Sequence, residues 1–281
     1  MLPTPSTSHI SPSVYDPAED SFLLLDTLSS ADEVGFLHAR FAAPESRPSP
    51  APLILEVGTG SGVVLAFLTA HARRILGRGD AVALGTDVNP FACRDAGVTV
   101  RQAAEEVAGG SAAGDAGDQE PGGTKPGTFL GVVRGDLISP LRPGQVDVLV
   151  FNPPYVPSDS LPSLDPFPEA PRLAGQGGND AQPAAADAIY ERDSRLLELS
   201  YAGGKDGMET TDRLLEALPV ALSARGCAYV LLCAQNRPDE VKERVRGWGA
   251  GWMAETVGTS GKKAGWERLQ IVRIWKGGTA A

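Results

Sequence analysis

The 281-residue sequence predicts an α/β fold built on a mostly parallel sheet, and three neighbouring features carry this prediction. Apolar runs at 53–57 and 146–151 are rich in β-branched residues, as buried parallel strands are. The first run enters a glycine-rich turn, a helical pattern over 63–76 and a second strand over 80–86. Strand, glycine turn, helix and strand in this order are typical of a parallel sheet.

The other elements follow from the same periodicities and from local start and stop signals. Asp16-Pro17-Ala18-Glu19 predicts a helix start, with Asp16 as N-cap and Pro17 at the first helical position. A glycine-containing turn at 258–265 predicts a hairpin, so the last strand should run antiparallel to its neighbour. Further helices are expected at 32–41, 186–199, 208–224 and after Arg237, and further strands at 129–133, 227–233, 252–257 and 268–275.

Length and local composition predict a single domain over 1–281, with one extension and two inserted segments. Residues 1–50 form an N-terminal helical extension that ends in a Pro/Ser linker. Residues 109–127 contain mainly Gly, Ala, Asp and Pro without an apolar period, which predicts a disordered insertion. Residues 156–183 are rich in Pro and Gly and predict a mobile flap on the substrate side.

Composition narrows the class of protein. The net charge of −10 argues against a protein that binds nucleic acid electrostatically. No apolar stretch has the length of a transmembrane helix, and residues 1–13 lack the features of a signal peptide. Cys93, Cys227 and Cys233 are odd in number without CxxC spacing, so we predict no disulfide framework and no metal site. A reduced intracellular protein is expected, in the cytoplasm, with the nucleus left open as a second location.

Asn152-Pro153-Pro154-Tyr155, directly after the strand at 146–151, is the most informative motif of the chain. The prolines end the strand because they cannot donate to the ladder, so Asn152 stands at a carboxyl strand end, where open α/β sheets bind ligands. The Asn152 side chain and the neighbouring carbonyls offer acceptors for a planar NH₂ group, and Tyr155 offers a flat face. We predict these four residues as the catalytic motif; the alternative is an ordinary turn.

The glycine-rich turn of Glu56, Gly58, Gly60 and Gly62 predicts a cofactor site. Such a turn alone also suits a dinucleotide or tight strand–helix packing. Acidic side chains at strand ends favour a different ligand, because Glu56 would repel a pyrophosphate but attract a cationic amino-acid group. Asp87 is placed to accept from two ribose hydroxyls, and Asp136 to accept from an adenine amino group. These groups together fit an adenosine that carries a positive sulfonium.

In this order, the motifs resemble those of class I S-adenosylmethionine-dependent methyltransferases that methylate amino groups. That family has a Rossmann-like seven-stranded, mostly parallel sheet with an antiparallel C-terminal strand, flanked by helices. Residues 14–26 are more specific, since they are similar to the N-terminal signature of the eukaryotic and archaeal HemK-like branch. Residues 202–208 resemble the Ala-Gly-Gly-x-x-Gly stretch of the same branch. The resemblance covers nearly the whole chain except the 109–127 insertion and the expanded 156–183 flap.

The resemblance implies S-adenosylmethionine as cofactor and assigns roles by position. Asn152, Pro153 and Tyr155 are expected to bind the target amide, with Pro154 completing the catalytic motif. The expected cofactor-binding residues are Ser21, Glu56, Gly58, Gly60, Gly62, Asp87, Asp136, Leu137 and Asn152. Within this set, Glu56 and Gly58 hold the methionine portion, Asp87 the ribose, and Asp136 with Leu137 the adenine.

Some polar residues have a structural alternative. Glu19 and Asp20 either contact the cofactor or only favour the helix dipole. Asp147 is expected to be structural, and His9, His38 and His71 are expected to be surface or helix residues without a catalytic role.

The HemK-like branch methylates N5 of the glutamine in the Gly-Gly-Gln motif of the class-1 translation release factor, which is therefore the expected substrate. Its members also pair with a small zinc-binding activator protein, here expected on an exposed apolar edge strand at 129–133. The alternative for this strand is cover by the chain's own insertion. Alternative functions are methylation of a protein lysine, as in a histone, methylation of an adenine amino group in DNA or RNA, and a non-catalytic binding module. We expect no association of the protein with a membrane.

Overall fold

The computed structural model describes residues 2–42, 49–113, 125–163, 182–261 and 268–277. The strands are β1 Leu53–Val57, β2 Val82–Asp87, β3 Thr128–Arg134, β4 Val146–Phe151, β5 Leu222–Cys233, β6 Trp252–Thr259 and β7 Leu269–Lys276. The helices are α1 Glu19–Leu28, α2 Ala31–Phe41, α3 Val63–Ala70, α4 Ala72–Leu76, α5 Pro90–Ala113, α6 Gln182–Tyr201, α7 Glu209–Ala221 and α8 Pro238–Arg246. Short 3₁₀ turns cover Lys205–Gly207 and Ala234–Asn236.

The seven strands form one sheet in the order β3-β2-β1-β4-β5-β7-β6. Strands β1 to β5 pair in parallel, and β7 runs antiparallel to both of its neighbours. This arrangement confirms the predicted fold class, including the antiparallel last strand. β1 lies between β2 and β4, so the glycine turn and the Asn152 motif leave adjacent strands at the same edge of the sheet.

Apolar side chains cover both faces of the sheet. One buried cluster joins α1, α2 and α3 to the sheet, and a second joins α7 and α8 to the opposite face. Cys227 and Cys233 are buried members of the first cluster and pack there as small core residues. Two buried acids, Glu33 and Asp147, each join several elements through hydrogen bonds. Glu33 of α2 accepts from the Tyr229 hydroxyl at 2.8 Å and from the Arg273 guanidinium at 2.6 Å.

Asp147 has the structural role that was expected. It lies at the amino end of β4, far from Asn152 along the strand, and is buried. Its carboxylate accepts from the Leu53 amide at 2.9 Å, the Ser223 hydroxyl at 2.6 Å and the Arg225 guanidinium at 2.9 Å. It therefore joins the starts of β1, β4 and β5 rather than any site.

Several predicted helix boundaries are wrong: the helices predicted over 186–199 and 208–224 cover Gln182–Tyr201 and Glu209–Ala221, and β5 begins at Leu222. The first helix begins at Glu19 with Ala18 as N-cap, so Asp16 lies outside the helix; the segment before it lines the cleft through Ser13, Val14 and Tyr15. The single helix predicted over 63–76 breaks at His71, which has φ −109° and ψ 19°.

The two inserted segments lie partly outside the described residues. Helix α5 continues to Ala113, so the first five residues of the predicted 109–127 insertion are helical, and 114–124 are not described. Of the predicted flap, 156–163 and the first two residues of α6, 182–183, are described, and 164–181 are not. The predicted turn at 258–265 and the linker before β1 also fall partly outside. No helix in the described ranges is long and apolar enough to cross a membrane.

Candidate active site

A cleft of about 180 Å³ opens at the carboxyl ends of β1, β2 and β4. Its walls come from the glycine turn, the strand ends, the segment before α1, and helices α6 and α7. Most of the predicted site residues line it, namely Ser21, Glu56, Gly58, Gly60, Asp87, Asp136, Leu137, Asn152 and Pro154. Gly62, Pro153 and Tyr155 are not among the lining residues. The predicted site residues that line the cleft therefore come from five separate segments of the chain.

The glycine turn folds around a buried acid. Glu56 is the next-to-last residue of β1, and its Oε2 accepts from the Leu65 amide of α3 at 3.0 Å. Burial raises the pKa of this carboxyl well above its usual value, and the negative charge of Asp87 adds to the shift. The turn itself has positive φ at Gly58 (62°), Gly60 (48°) and Gly62 (76°), which only glycine adopts without strain.

Gly62 serves packing rather than the cleft. A Cβ at this position would lie 2.6 Å from both the Cα and the Cβ of Ala96 in α5. A Cβ on Gly60 would meet no protein atom within 4 Å, because Gly60 faces the open cleft. Gly62 is therefore required for packing against α5, whereas Gly60 borders the cleft. The sequence pattern does not distinguish these two roles.

Asp87 holds the glycine turn and still faces the cleft. Its Oδ2 accepts from the Gly60 amide at 2.9 Å, and its Oδ1 accepts from the Asn89 amide at 2.8 Å. The Val88 amide also stabilises the carboxylate, and the two oxygens together keep lone-pair capacity for a further hydroxyl donor. Burial raises the pKa of Asp87. Two desolvated acids side by side favour a ligand with positive charge, which lowers the cost of their ionisation.

Asn89 lines the cleft and was not among the predicted site residues. Its side-chain oxygen accepts from the Phe91 amide at 2.9 Å and so caps α5, and its side-chain nitrogen donates to the Ser13 carbonyl at 2.8 Å. It thereby fixes the N-terminal segment along the cleft. The turn sequence Asn89-Pro90 before a helix was the available signal.

The start of α1 contributes polar groups from the other side. Asp20 is buried, lines the cleft and accepts from the Tyr15 hydroxyl at 3.0 Å and from the Ser21 amide at 2.6 Å. The Ser21 hydroxyl also lines the cleft and donates to Asp20 at 3.2 Å. Glu19 is exposed instead. Of the two acids considered together in the sequence, only Asp20 is placed for ligand contact.

Asp136 and Leu137 follow β3 at the far side of the cleft. The Asp136 carboxylate pairs with the Arg213 guanidinium of α7, and both side chains are partly exposed. Leu137 has a left-handed backbone, with φ 51°. Arg213 is a second missed residue, because it comes from a distant helix without any local motif.

Asn152 has the property that the predicted chemistry requires. Its side-chain oxygen Oδ1 is buried and accepts no hydrogen bond from any described residue. A buried acceptor without a donor costs about 1–3 kcal/mol, so a ligand N–H would be favoured there. Thr59 in the glycine turn has a similarly buried hydroxyl oxygen without a partner. The Asn152 and Thr59 oxygens can therefore form hydrogen bonds with a ligand or with solvent in the cleft.

Tyr155 was predicted to offer its ring to the target amide, but it is not among the residues that line the cleft. Its side chain packs against the apolar cluster below the cleft, and its carbonyl accepts from the Asn236 side chain at 3.1 Å. Pro153 is buried. The histidines stay outside the cleft: His9, His38 and His71 contact the backbone carbonyls of Asp95, Arg74 and Pro3. No group of three or more metal-ligating side chains occurs in the described parts of the chain.

The sheet order, the glycine turn and the strand-end asparagine together have the arrangement of a class I methyltransferase. No family model matches the chain. The mouse methyltransferase HEMK2 is 32% identical over 98% of this chain and 97% of its own length. The human methyltransferase HEMK2 is 30% identical over 94% and 90% of the two chains. The fission yeast eRF1 methyltransferase catalytic subunit mtq2 is 30% identical over 98% and 96%. The chain belongs to this HEMK2 family of methyltransferases.

Proposed function

We propose that the protein uses S-adenosylmethionine to methylate N5 of the glutamine in the Gly-Gly-Gln motif of the class-1 translation release factor. The observation that carries the proposal is the buried, unpartnered Oδ1 of Asn152 beside the glycine turn. The name of the fission yeast relative, an eRF1 methyltransferase catalytic subunit, supports the same substrate. A cytoplasmic location, expected from composition, agrees with a translation factor as substrate.

The residues of the cleft fit the proposed cofactor. S-adenosylmethionine supplies a methyl group that its sulfonium charge has already activated. Glu56 and Asp87 are desolvated acids, which favour a cationic ligand over a phosphate. Asp87 keeps free lone pairs for the ribose, and Asp136 lies beyond it for the adenine amino group.

The proposed role of the Asn152 motif is alignment. An amide nitrogen is a poor nucleophile because its lone pair is delocalised into the carbonyl. Asn152 Oδ1 and the Pro153 carbonyl accept the two hydrogens of the glutamine NH₂ group, which places the lone pair toward the methyl group. These bonds strengthen as the nitrogen gains positive charge, so they stabilise the transition state more than the bound substrate. The chemistry needs no strong base before transfer.

We also propose a heterodimer with a small zinc-binding activator protein on β3. In the described chain β3 is an edge strand that pairs only with β2. Leu130 and Val133 on this strand are 62% and 40% exposed. An apolar edge of this kind invites pairing with another chain. The fission yeast relative is named a catalytic subunit, which supports a second subunit in that enzyme.

The partner proposal is tested by expressing the chain alone and with the activator. Leu130→Asp should abolish co-purification, whereas Val220→Asp, at an equally exposed site on α7, should not. Equal solubility, activity and mass of the chain in both conditions would contradict a required partner. Deletion of 114–124 separates the alternative, since cover by the chain's own insertion predicts poorer solubility after deletion.

The substrate is tested in one assay with labelled S-adenosylmethionine and activator. The acceptors are release factor, release factor with the motif glutamine changed to asparagine, histones and an oligonucleotide. We expect label only on the unchanged release factor, at N5 of the motif glutamine by mass spectrometry. Label on histone lysine or on adenine would support the corresponding alternative, and label on none would contradict an enzyme of this kind.

A further inference from the structure

The loop after α6 lies against the catalytic motif. We call residues 202–207 the glycine strap; they lie within the 202–208 stretch that resembles the HemK-like branch. The Gly203 amide donates to the Val156 carbonyl at 2.8 Å, and Val156 pairs in parallel with Ala202. A Cβ on Gly203 would collide with the Pro154 carbonyl, and one on Gly207 with the Tyr155 carbonyl. The strap thus touches the backbone of the motif at successive residues.

Asn236, after β5, joins the strap to the motif from below. Its side chain is 2% exposed, and its Oδ1 accepts from the Cys233 amide at 2.7 Å, which fixes it to the end of β5. Its amide nitrogen lies 3.1 Å from the Tyr155 carbonyl. The same nitrogen lies 2.9 Å and 3.3 Å from the strap carbonyls of Asp206 and Gly207. One side chain therefore holds the catalytic motif after β4, the end of β5 and the strap together.

Only an amide suits this position. The Oδ1 side must accept and the nitrogen side must donate, and a primary amide does both. A carboxylate of the same shape keeps the acceptor for Cys233 but directs an oxygen at three carbonyls. A buried polar network loses much of its rigidity when one member cannot be satisfied.

We propose that Asn236 is a positioning residue for methyl transfer, acting through the strap and the Tyr155 backbone on the orientation of Asn152 and Pro153. The inference rests on the proposed function. Asn236 itself does not line the cleft, so it should leave cofactor binding unchanged. Small displacements of an aligned group lower turnover steeply, by about 100-fold for roughly 1 Å.

The test compares Asn236→Asp with wild type, each with the activator, on release factor. We expect kcat to fall about 10- to 100-fold. The KM for release factor and the Kd for S-adenosylhomocysteine should change less than about threefold, because the groups that bind them remain. Ser158→Ala is a second, milder variant: it removes the hydroxyl that accepts from the Gly204 amide at 2.9 Å at the outer end of the strap. It should lower kcat in the same selective way.

Asp147→Asn is the matched control, because it changes one buried hydrogen-bonding side chain at the opposite end of β4. It should lower thermal stability without changing kcat at a temperature where the protein is folded. Wild-type kcat in both Asn236→Asp and Ser158→Ala, or equal losses in kcat and cofactor binding, would overturn the inference. Failure of the wild type to methylate release factor would instead overturn the proposed function, so the two failures are distinguishable.

Discussion

The substitution Gly62→Ala separates packing from binding within the glycine turn. The new Cβ would lie 2.6 Å from two atoms of Ala96, and the residue would keep a φ of 76°. Overpacking and left-handed strain together cost about 2–6 kcal/mol. For a chain of 281 residues the unfolding entropy is about 0.6 kcal/mol/K, so Tm should fall by about 3–10 °C. Differential scanning calorimetry measures this change directly.

Two glycine variants serve as controls for Gly62→Ala. Gly60→Ala has the strain without the clash and should lower Tm by only about 2–3 °C. Its Cβ enters the cleft, so it should weaken S-adenosylhomocysteine binding by isothermal titration calorimetry. Gly35→Ala in α2 has space around it and should be neutral or stabilising. If Gly62→Ala kept the wild-type Tm but lost binding, Gly62 would be a ligand contact and the packing account would be refuted.

Three further predictions concern charge and packing. Cofactor binding should release protons, because the raised pKa of Glu56 keeps its carboxyl protonated to higher pH and a bound cation displaces that proton. Cofactor affinity should therefore fall as pH falls. Calorimetry in buffers of different ionisation enthalpy measures the protons released, and Glu56→Gln should release fewer than wild type. Glu33→Ala leaves the buried Arg273 with the exposed Glu255 as its remaining carboxylate partner in the described chain, and should cost up to about 3–5 kcal/mol in chemical denaturation with cofactor Kd unchanged; an unchanged midpoint would contradict this. Arg213→Met removes the ion pair that holds the Asp136 carboxylate in place. It should weaken the binding of S-adenosylhomocysteine more than the binding of its inosine analogue, which lacks the adenine amino group. Equal losses of affinity would refute the orientation of Asp136 toward that group.

The strands were predictable because their cause is local. The runs at β1 and β4 are apolar except for Glu56 and Asp147, and a strand buried on both faces needs such a composition. The antiparallel last strand followed from one turn. By contrast, the start of α1 was misplaced because Asp16-Pro17 has the local chemistry of a cap, and the docking of the preceding segment on the cleft decides the boundary.

The site was predictable where one motif supplies both position and chemistry. Glu56, Asp87 and Asn152 stand directly at the ends of strands, so the fold alone brings them together. Arg213 and Asn236 could not be found, because their partners Asp136 and Tyr155 are distant in sequence and the pairing depends on how separate segments pack together. Tyr155 was placed on the substrate side by its neighbours in sequence. The orientation of its ring depends on the core beneath it, which a motif does not encode.

The most direct test of the central claim is the turnover of Asn152→Ala on release factor, measured together with its affinity for S-adenosylhomocysteine. Loss of a hydrogen-bond acceptor that acts in the transition state should lower kcat about 100- to 1000-fold, as for other positioned polar groups in active sites. Cofactor affinity should stay within about threefold of wild type, because the groups of the glycine turn are untouched. Undiminished kcat in this variant, or a loss of turnover explained wholly by lost cofactor affinity, would contradict the account.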